Sequence, residues 1–155
     1  MSDTSNRVAL VTGGGTGIGE ATVRMLAREG YAVALSGRRE GPLEAVAAAV
    51  KAAGGRALAV VADASTPEGA EKAVAATVAE FGALDALVIN HGVGGNPAPV
   101  GEMSLEEWDN VLDINLRGAF LLMCHVIPAM RANGSGRFVL IGSINGSRGK
   151  FGTSA

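Results

Sequence analysis

The chain has 155 residues, a formal net charge of −2 and an apolar fraction of 48%. That length suits one domain with one buried core, and the near-neutral charge excludes nucleic acid as the main partner, because phosphate binding needs a basic surface. The lone Cys124 excludes an intrachain disulfide, the N-terminal MSDTSNR lacks an apolar signal core, and no apolar run reads as a membrane span, so the expectation is a soluble, cytoplasmic protein with no membrane partner.

The first apolar run is RVALVT (7–12). It leads straight into TGGGTGIGEA and a helix that closes at Gly30. YAVALS (31–36) follows, then a helical stripe of Leu43, Val46, Ala47 and Val50 at i, i+3, i+4 and i+7. Pro42 stands at its first helical position and Gly54-Gly55 ends it. RALAVVA (56–62) precedes a helix with Thr66 as N-cap, Pro67 at N1 and a stripe of Ala70, Val74, Thr77, Val78 and Phe81. After LDALVIN (84–90) comes a Gly- and Pro-rich connector, GVGGNPAPVGEMS (92–104). A longer helix begins at Ser104, with Glu107 completing a capping box. It carries Trp108, Val111, Leu112, Asn115, Ala119, Leu122, Met123 and Val126, and Pro128 marks or bends its end. Trp108 and the nearby methionines read as core, and His125 as packing or interface. RFVLIGS (137–143) is the last apolar run.

Each of these five runs is nearly continuous in apolar character, as strands are when both faces are covered in a parallel sheet. Strand and helix alternate throughout, with no repeat and no second domain. The expected fold is therefore α/β: a single Rossmann-like, doubly wound parallel sheet in three α/β/α layers over residues 1–155. Ligands of such sheets bind outside the carboxyl ends of the strands, near the switch in strand order. That places TGGGTGIGEA where a ligand belongs. Gly13, Gly17 and Gly19, with Gly14 and Gly15 between them, make a tight turn that lets the backbone approach a pyrophosphate at a helix N-terminus. No Gly-Lys-Ser/Thr follows, so this is not a triphosphate-binding P-loop. After the second strand the chain reads SGRRE. An acid there would hold the ribose hydroxyl of NAD, whereas Arg38 and Arg39 suit a 2′-phosphate, which favours NADP(H) over NAD(H). Two histidines and one cysteine scattered along the chain do not make a metal site.

Together these motifs resemble the short-chain dehydrogenase/reductase family. TGGGTGIG matches its cofactor loop, so Gly13, Gly15, Thr16, Gly17, Ile18 and Gly19 are expected to hold a nicotinamide dinucleotide. Asp63 and Ala64 match the adenine-contacting pair after the third strand. Asn90 and Gly92, in NHGV, match part of an N-N-A-G motif, in which His91 replaces an asparagine and reads as a local variant. Asn115, in INLRGAF, matches the helix asparagine of the catalytic set, and Ser143 matches its serine. The resemblance implies hydride transfer between nicotinamide and a small alcohol or carbonyl compound. It also implies strand order 3-2-1-4-5 and a homo-oligomeric parent protein that pairs through the Ser104–Ala132 helix. In the family the serine positions the substrate oxygen and the asparagine holds a water in a proton relay.

The family's general acid–base is a tyrosine in Tyr-x-x-x-Lys, whose pKa of roughly 10 a nearby cation must lower. Family spacing from Ser143 puts that tyrosine immediately after Ala155. The only tyrosine present is Tyr31, and Lys150 does not match the motif lysine. The expectation is thus an incomplete oxidoreductase domain, without its last strands and helices: the cofactor-binding part of an enzyme, with little turnover of its own. The alternative is a catalytically inactive dinucleotide-binding fragment or a non-functional truncation product.

Overall fold

The computed structural model describes residues 7–148; Lys150 and its neighbours in 149–155, like residues 1–6, lie outside the described residues. Five strands, β1 (Val8–Thr12), β2 (Ala32–Gly37), β3 (Arg56–Val61), β4 (Ala86–Ile89) and β5 (Arg137–Leu140), pair in parallel in the order β3-β2-β1-β4-β5. The helices α1 (Gly17–Arg28), α2 (Glu40–Ala52), α3 (Pro67–Phe81), α4 (Leu105–Leu112) and α5 (Gly118–Ala132) connect them.

Successive strand residues feed two cores. Leu10, Leu87 and Ile89 pack with Ala73 of α3 and with Leu122 and Val126 of α5 on one face. Val11, Val33, Leu35 and Val88 pack with Val23 of α1 and with Leu43, Val46 and Val50 of α2 on the other. Both sides of each central strand are therefore covered, which is why those runs do not alternate. Burying each such Val or Leu is worth about 1.5–3 kcal/mol. At the sheet edge β5 differs: Phe138, Val139, Leu140 and Ile141 are 39–57% exposed.

The caps are partly as expected. The Thr66 hydroxyl accepts from the Gly69 N–H at 3.0 Å, and the Ser104 hydroxyl accepts from the Glu107 N–H at 3.1 Å. The capping box is not reciprocal, however. The Glu107 carboxylate accepts from the Asn96 N–H at 2.7 Å and from Asn96 Nδ2 at 3.3 Å, so it pins the connector rather than its own helix start. Pro42 is the third residue of α2, not the first, still within the turn whose N–H groups need no helical partner.

The long helix departs most from expectation. It breaks at a π turn, Asp113–Arg117, where the Gly118 N–H reaches back to the Asp113 carbonyl. One extra residue shifts the stripe, so Asn115 turns outward while Val111, Ala119, Leu122 and Val126 stay buried. Trp108 is only half-buried and belongs to neither core, because Val111 is the only fully buried residue of α4. Met130 is core and Met123 packs partly against it. Pro128 does not end α5: it lies exposed inside the helix, which continues to Ala132. Joined end to end, Leu105–Ala132 spans 28 residues and is long and apolar enough to meet the length and composition of a membrane span. This corrects the reading that no run is long enough. Its Ala119, Leu122, Val126 and Met130 face is nevertheless committed to the sheet core.

Candidate functional site

The strand order reverses between β1 and β4, and two adjoining clefts open there at the carboxyl ends of the strands. One, of about 270 Å³, is walled by Gly13 and Thr16 of the glycine loop, by Arg38 and Arg39 after β2, and by Asp63 and Ala64 after β3. The other, of about 560 Å³, holds Ile18, Asn115 and Ser143. Asn90, His91, Gly92 and Val93 line both and form the waist between them.

The glycine loop is shaped by its neighbours. Gly13 and Gly17 have φ of 63° and 56°, a region that side chains disfavour. Asn90 Nδ2 donates to the carbonyls of Thr12 and Gly13 at 3.2 and 3.3 Å, and the Gly14 N–H donates to the Ser36 carbonyl. Gly19 is buried, and a Cβ there would collide with the Gly13 carbonyl and stand 2.6 Å from Asn90 Nδ2. Gly19 thus serves close packing of α1 on the loop, beyond any ligand contact. Gly15 and Gly17 line neither cleft: Gly17 answers its left-handed φ, while a Cβ at Gly15 would stand 3.1 Å from the Pro42 Cβ, against the start of α2. Thr16 occupies the N-cap of α1 but its side chain makes no capping bond, unlike Thr66 and Ser104. The first N–H groups of α1 consequently lack a side-chain acceptor from their cap, and a helix start of this kind favours an anion.

Asp63 sits in a tight polar turn. Its Oδ1 accepts from the Ser65 N–H at 3.0 Å and from the Ser65 hydroxyl at 2.7 Å. Burial alone raises its pKa, but those two hydrogen bonds, with the charges of Arg38 and His91, outweigh it and leave the carboxyl below its ordinary value.

The Thr12 hydroxyl is a hub that sequence reasoning missed. It accepts from the N–H groups of Asn90 and His91, at 3.1 and 3.3 Å, and lies 2.7 Å from His91 Nδ1. The signal was present: a threonine closing an otherwise apolar strand needs partners for its hydroxyl once buried. On its other side His91 Nε2 is 3.1 Å from the Ile114 carbonyl. Burial pushes the His91 pKa down, against the Ile114 carbonyl and Asp63, which favour the proton; Arg38 opposes it. His91 is therefore bonded through both ring nitrogens.

Asn115 and Val93 form a two-point clamp. Asn115 Oδ1 accepts from the Val93 N–H and Asn115 Nδ2 donates to the Val93 carbonyl, both at 2.9 Å. One amide N–H and one oxygen lone pair remain for other partners. The Ser143 hydroxyl accepts from the Asn145 N–H at 3.2 Å and starts a short 3₁₀ turn, Ile144–Gly146, beside the larger cleft. Tyr31 lies at the opposite, amino-terminal end of the strands, just before β2, in a separate cleft with Arg7 and Asp85.

The model of the family described as short chain dehydrogenase matches residues 7–155. The cis-4-hydroxycyclohexanecarboxylate dehydrogenase of Sinomonas cyclohexanicum is 40% identical over 151 residues, which are 97% of this chain and 60% of that protein. The cyclohexanol dehydrogenase of an Acinetobacter strain is 38% identical over 142 residues, 92% of this chain and 57% of its own. The crystal structure of an NAD+-bound xylitol dehydrogenase superposes with a TM-score of 0.93 at 35% identity, covering 99% of this chain and 59% of that one. The chain thus spans somewhat under two thirds of the length of the relatives it matches.

Proposed function

Because the chain belongs to the short-chain dehydrogenase family, we propose that residues 7–155 form the dinucleotide-binding part of an NADP(H)-preferring oxidoreductase. Bound there, the nicotinamide would accept or give the hydride exchanged with a small alcohol or carbonyl compound. The observation that carries this reading is the convergence on one cleft of the glycine loop, an α1 N-terminus uncapped by Thr16, Asp63, and the Arg38-Arg39 pair. In it, the loop and the start of α1 take the pyrophosphate, and Asp63 and Ala64 flank the adenine. Arg38 and Arg39, both exposed, hold the 2′-phosphate in charge-assisted forks.

Asn115 and Ser143 face the larger cleft, where the substrate oxygen belongs. No tyrosine joins them, since Tyr31 is the only one present and sits at the far end of the sheet. General acid–base catalysis typically contributes about 10²–10⁴-fold, so these 155 residues alone should bind dinucleotide and turn over little. Ile18, Ile89 and Leu140 give this cleft an apolar wall. Two relatives are named for a hydroxylated cyclohexane, which makes a cyclic secondary alcohol or its ketone the first substrate to try. The exposed stripe Leu116, Phe120, Cys124 and Ile127 along the long helix supports self-association, and an unpaired surface thiol suits a reducing, cytoplasmic setting.

The test is titration of the chain with NADPH and NADH, followed by nicotinamide fluorescence. NADPH should bind more tightly. Replacing Arg38 and Arg39 together by alanine should weaken NADPH by roughly ten- to hundredfold, as hydrogen bonds to charged groups are worth about 1.5–3 kcal/mol, and leave NADH little changed. Failure of both nucleotides to bind refutes the reading; tighter binding of NADH refutes the cofactor preference alone.

A further inference from the structure

The segment that follows β4 is a bracket between the glycine loop and the π turn. Asn90 holds the loop carbonyls, the Val93 backbone holds the Asn115 side chain, and His91 between them reaches both sides. The chemistry of its partners fixes the state of its ring. The Ile114 carbonyl only accepts, so Nε2 must carry a proton. The Thr12 hydroxyl already accepts two N–H groups, which fills its lone pairs, so its own proton goes to Nδ1 at 2.7 Å. The remaining neighbour of that hydroxyl, the Val88 carbonyl, is farther, at 3.4 Å. The arrangement is complete only for a neutral imidazole with its proton on Nε2.

A second proton has no place in it. On Nδ1 it would face a hydroxyl oxygen with no free lone pair. The hydroxyl would have to turn to Val88, and Asn90, His91 or Nδ1 would lose its acceptor. Space is equally closed on the other side of the ring. Gly118, buried at the start of α5, lies so near that a Cβ there would stand 2.7 Å from His91 Nε2 and 3.1 Å from the Ala64 carbonyl. The ring, the π turn and the glycine fit as one unit. Among the described residues, the charged groups facing the ring are Asp63, after β3, and Arg38, after β2; β1 and the π turn present a hydroxyl and a carbonyl to it.

We propose that His91 is a positioning residue that, in its neutral form only, ties the π turn carrying Asn115 to the end of β1, and that protonation releases this tie and loosens the site in acid. The significance for catalysis rests on the oxidoreductase reading of Asn115; the switch itself does not. The sign follows from burial, which lowers the histidine pKa from its ordinary 6.5 in the folded chain. The contribution of the tie is complete above that ordinary value and is lost as pH falls below it, through the depressed folded value.

The experiment needs no nucleotide, so it stands apart from the test of dinucleotide binding. Imidazole ¹⁵N shifts of the full 155-residue chain are followed by NMR against pH, with His125→Gln to assign the two histidines. The expected result is an Nε2–H tautomer for His91, a midpoint below 6.5, and Asn115 side-chain amide signals that move with the same midpoint. An Nδ1–H tautomer, a midpoint at or above 6.5, or Asn115 signals indifferent to that titration overturns the proposal. His91→Asn should abolish the pH response of Asn115 over this range. Should that variant not fold, the tautomer and midpoint of the parent chain still decide.

Discussion

Three glycines in this chain face different local demands, and alanine at each separates them. At position 19 a Cβ would collide with the Gly13 carbonyl and press on Asn90 Nδ2, the group that holds the loop. Overpacking of this kind costs about 1–3 kcal/mol, and a strained or lost Asn90 bond adds about 1 kcal/mol. At position 17 there is open space but φ is 56°, so the penalty is conformational alone, about 1–2 kcal/mol. At position 41, early in α2, nothing lies within 4 Å and φ is not positive, so alanine should stabilise by about 0.4–1 kcal/mol. With melting shifts of about 2–4 °C per kcal/mol for a chain of this size, Gly19→Ala should lower Tm by about 4–16 °C. Gly17→Ala should lower it by about 2–8 °C, and Gly41→Ala should raise it slightly. Thermal denaturation by circular dichroism reads all three, and titration with NADPH reads the loop directly. Gly19→Ala should weaken nucleotide binding more than Gly17→Ala does, because it displaces both walls of the turn. An order in which Gly41→Ala is the most harmful, or Gly19→Ala melts like the parent, refutes the close-packing account of the loop.

Leu122 is fully buried in the larger core, so Leu122→Ala should destabilise by about 2–5 kcal/mol, read by urea denaturation. Glu107→Ala removes the acceptor for the Asn96 N–H and side chain; as these groups are exposed or half-exposed, the stability loss should stay below about 1 kcal/mol, while limited proteolysis should cut the 92–104 connector faster. The Asp63 carboxyl is held below its ordinary value of 3.8, so its contribution is present above that pH and is lost as pH falls through the depressed folded value. Asp63→Asn should flatten that acid limb in melts at graded pH; an unchanged limb would show that its turn carries no linkage. Val139→Lys on the exposed edge strand β5 should raise solubility, measured by light scattering, because a charge on an apolar edge discourages strand pairing between copies.

Much of the architecture was legible from local pattern. Continuous apolar runs marked strands covered on both sides, and alternation with helical stripes required a parallel, layered sheet. Thr66-Pro67 fixed the start of α3 through one hydroxyl and one missing N–H, a device complete within four residues. The glycine loop declared itself for the same reason: Gly13 and Gly17 answer backbone angles that the turn itself imposes.

The structure decided what depends on residues far apart in sequence. Glu107 matched a capping box, yet its carboxylate lies at Asn96, because the connector folds back over α4. Asn115 fell on a helical stripe, yet the π turn rotates it toward Val93. His91 read as a tolerated change, and only the approach of Thr12, 79 positions away, and of Ile114 shows both ring nitrogens committed. Periodicity and capping report interactions within about one helical turn. A buried polar group is instead defined by the partners that the packed sheet brings to it, and no local spacing in this sequence encodes which strand end and which turn those are.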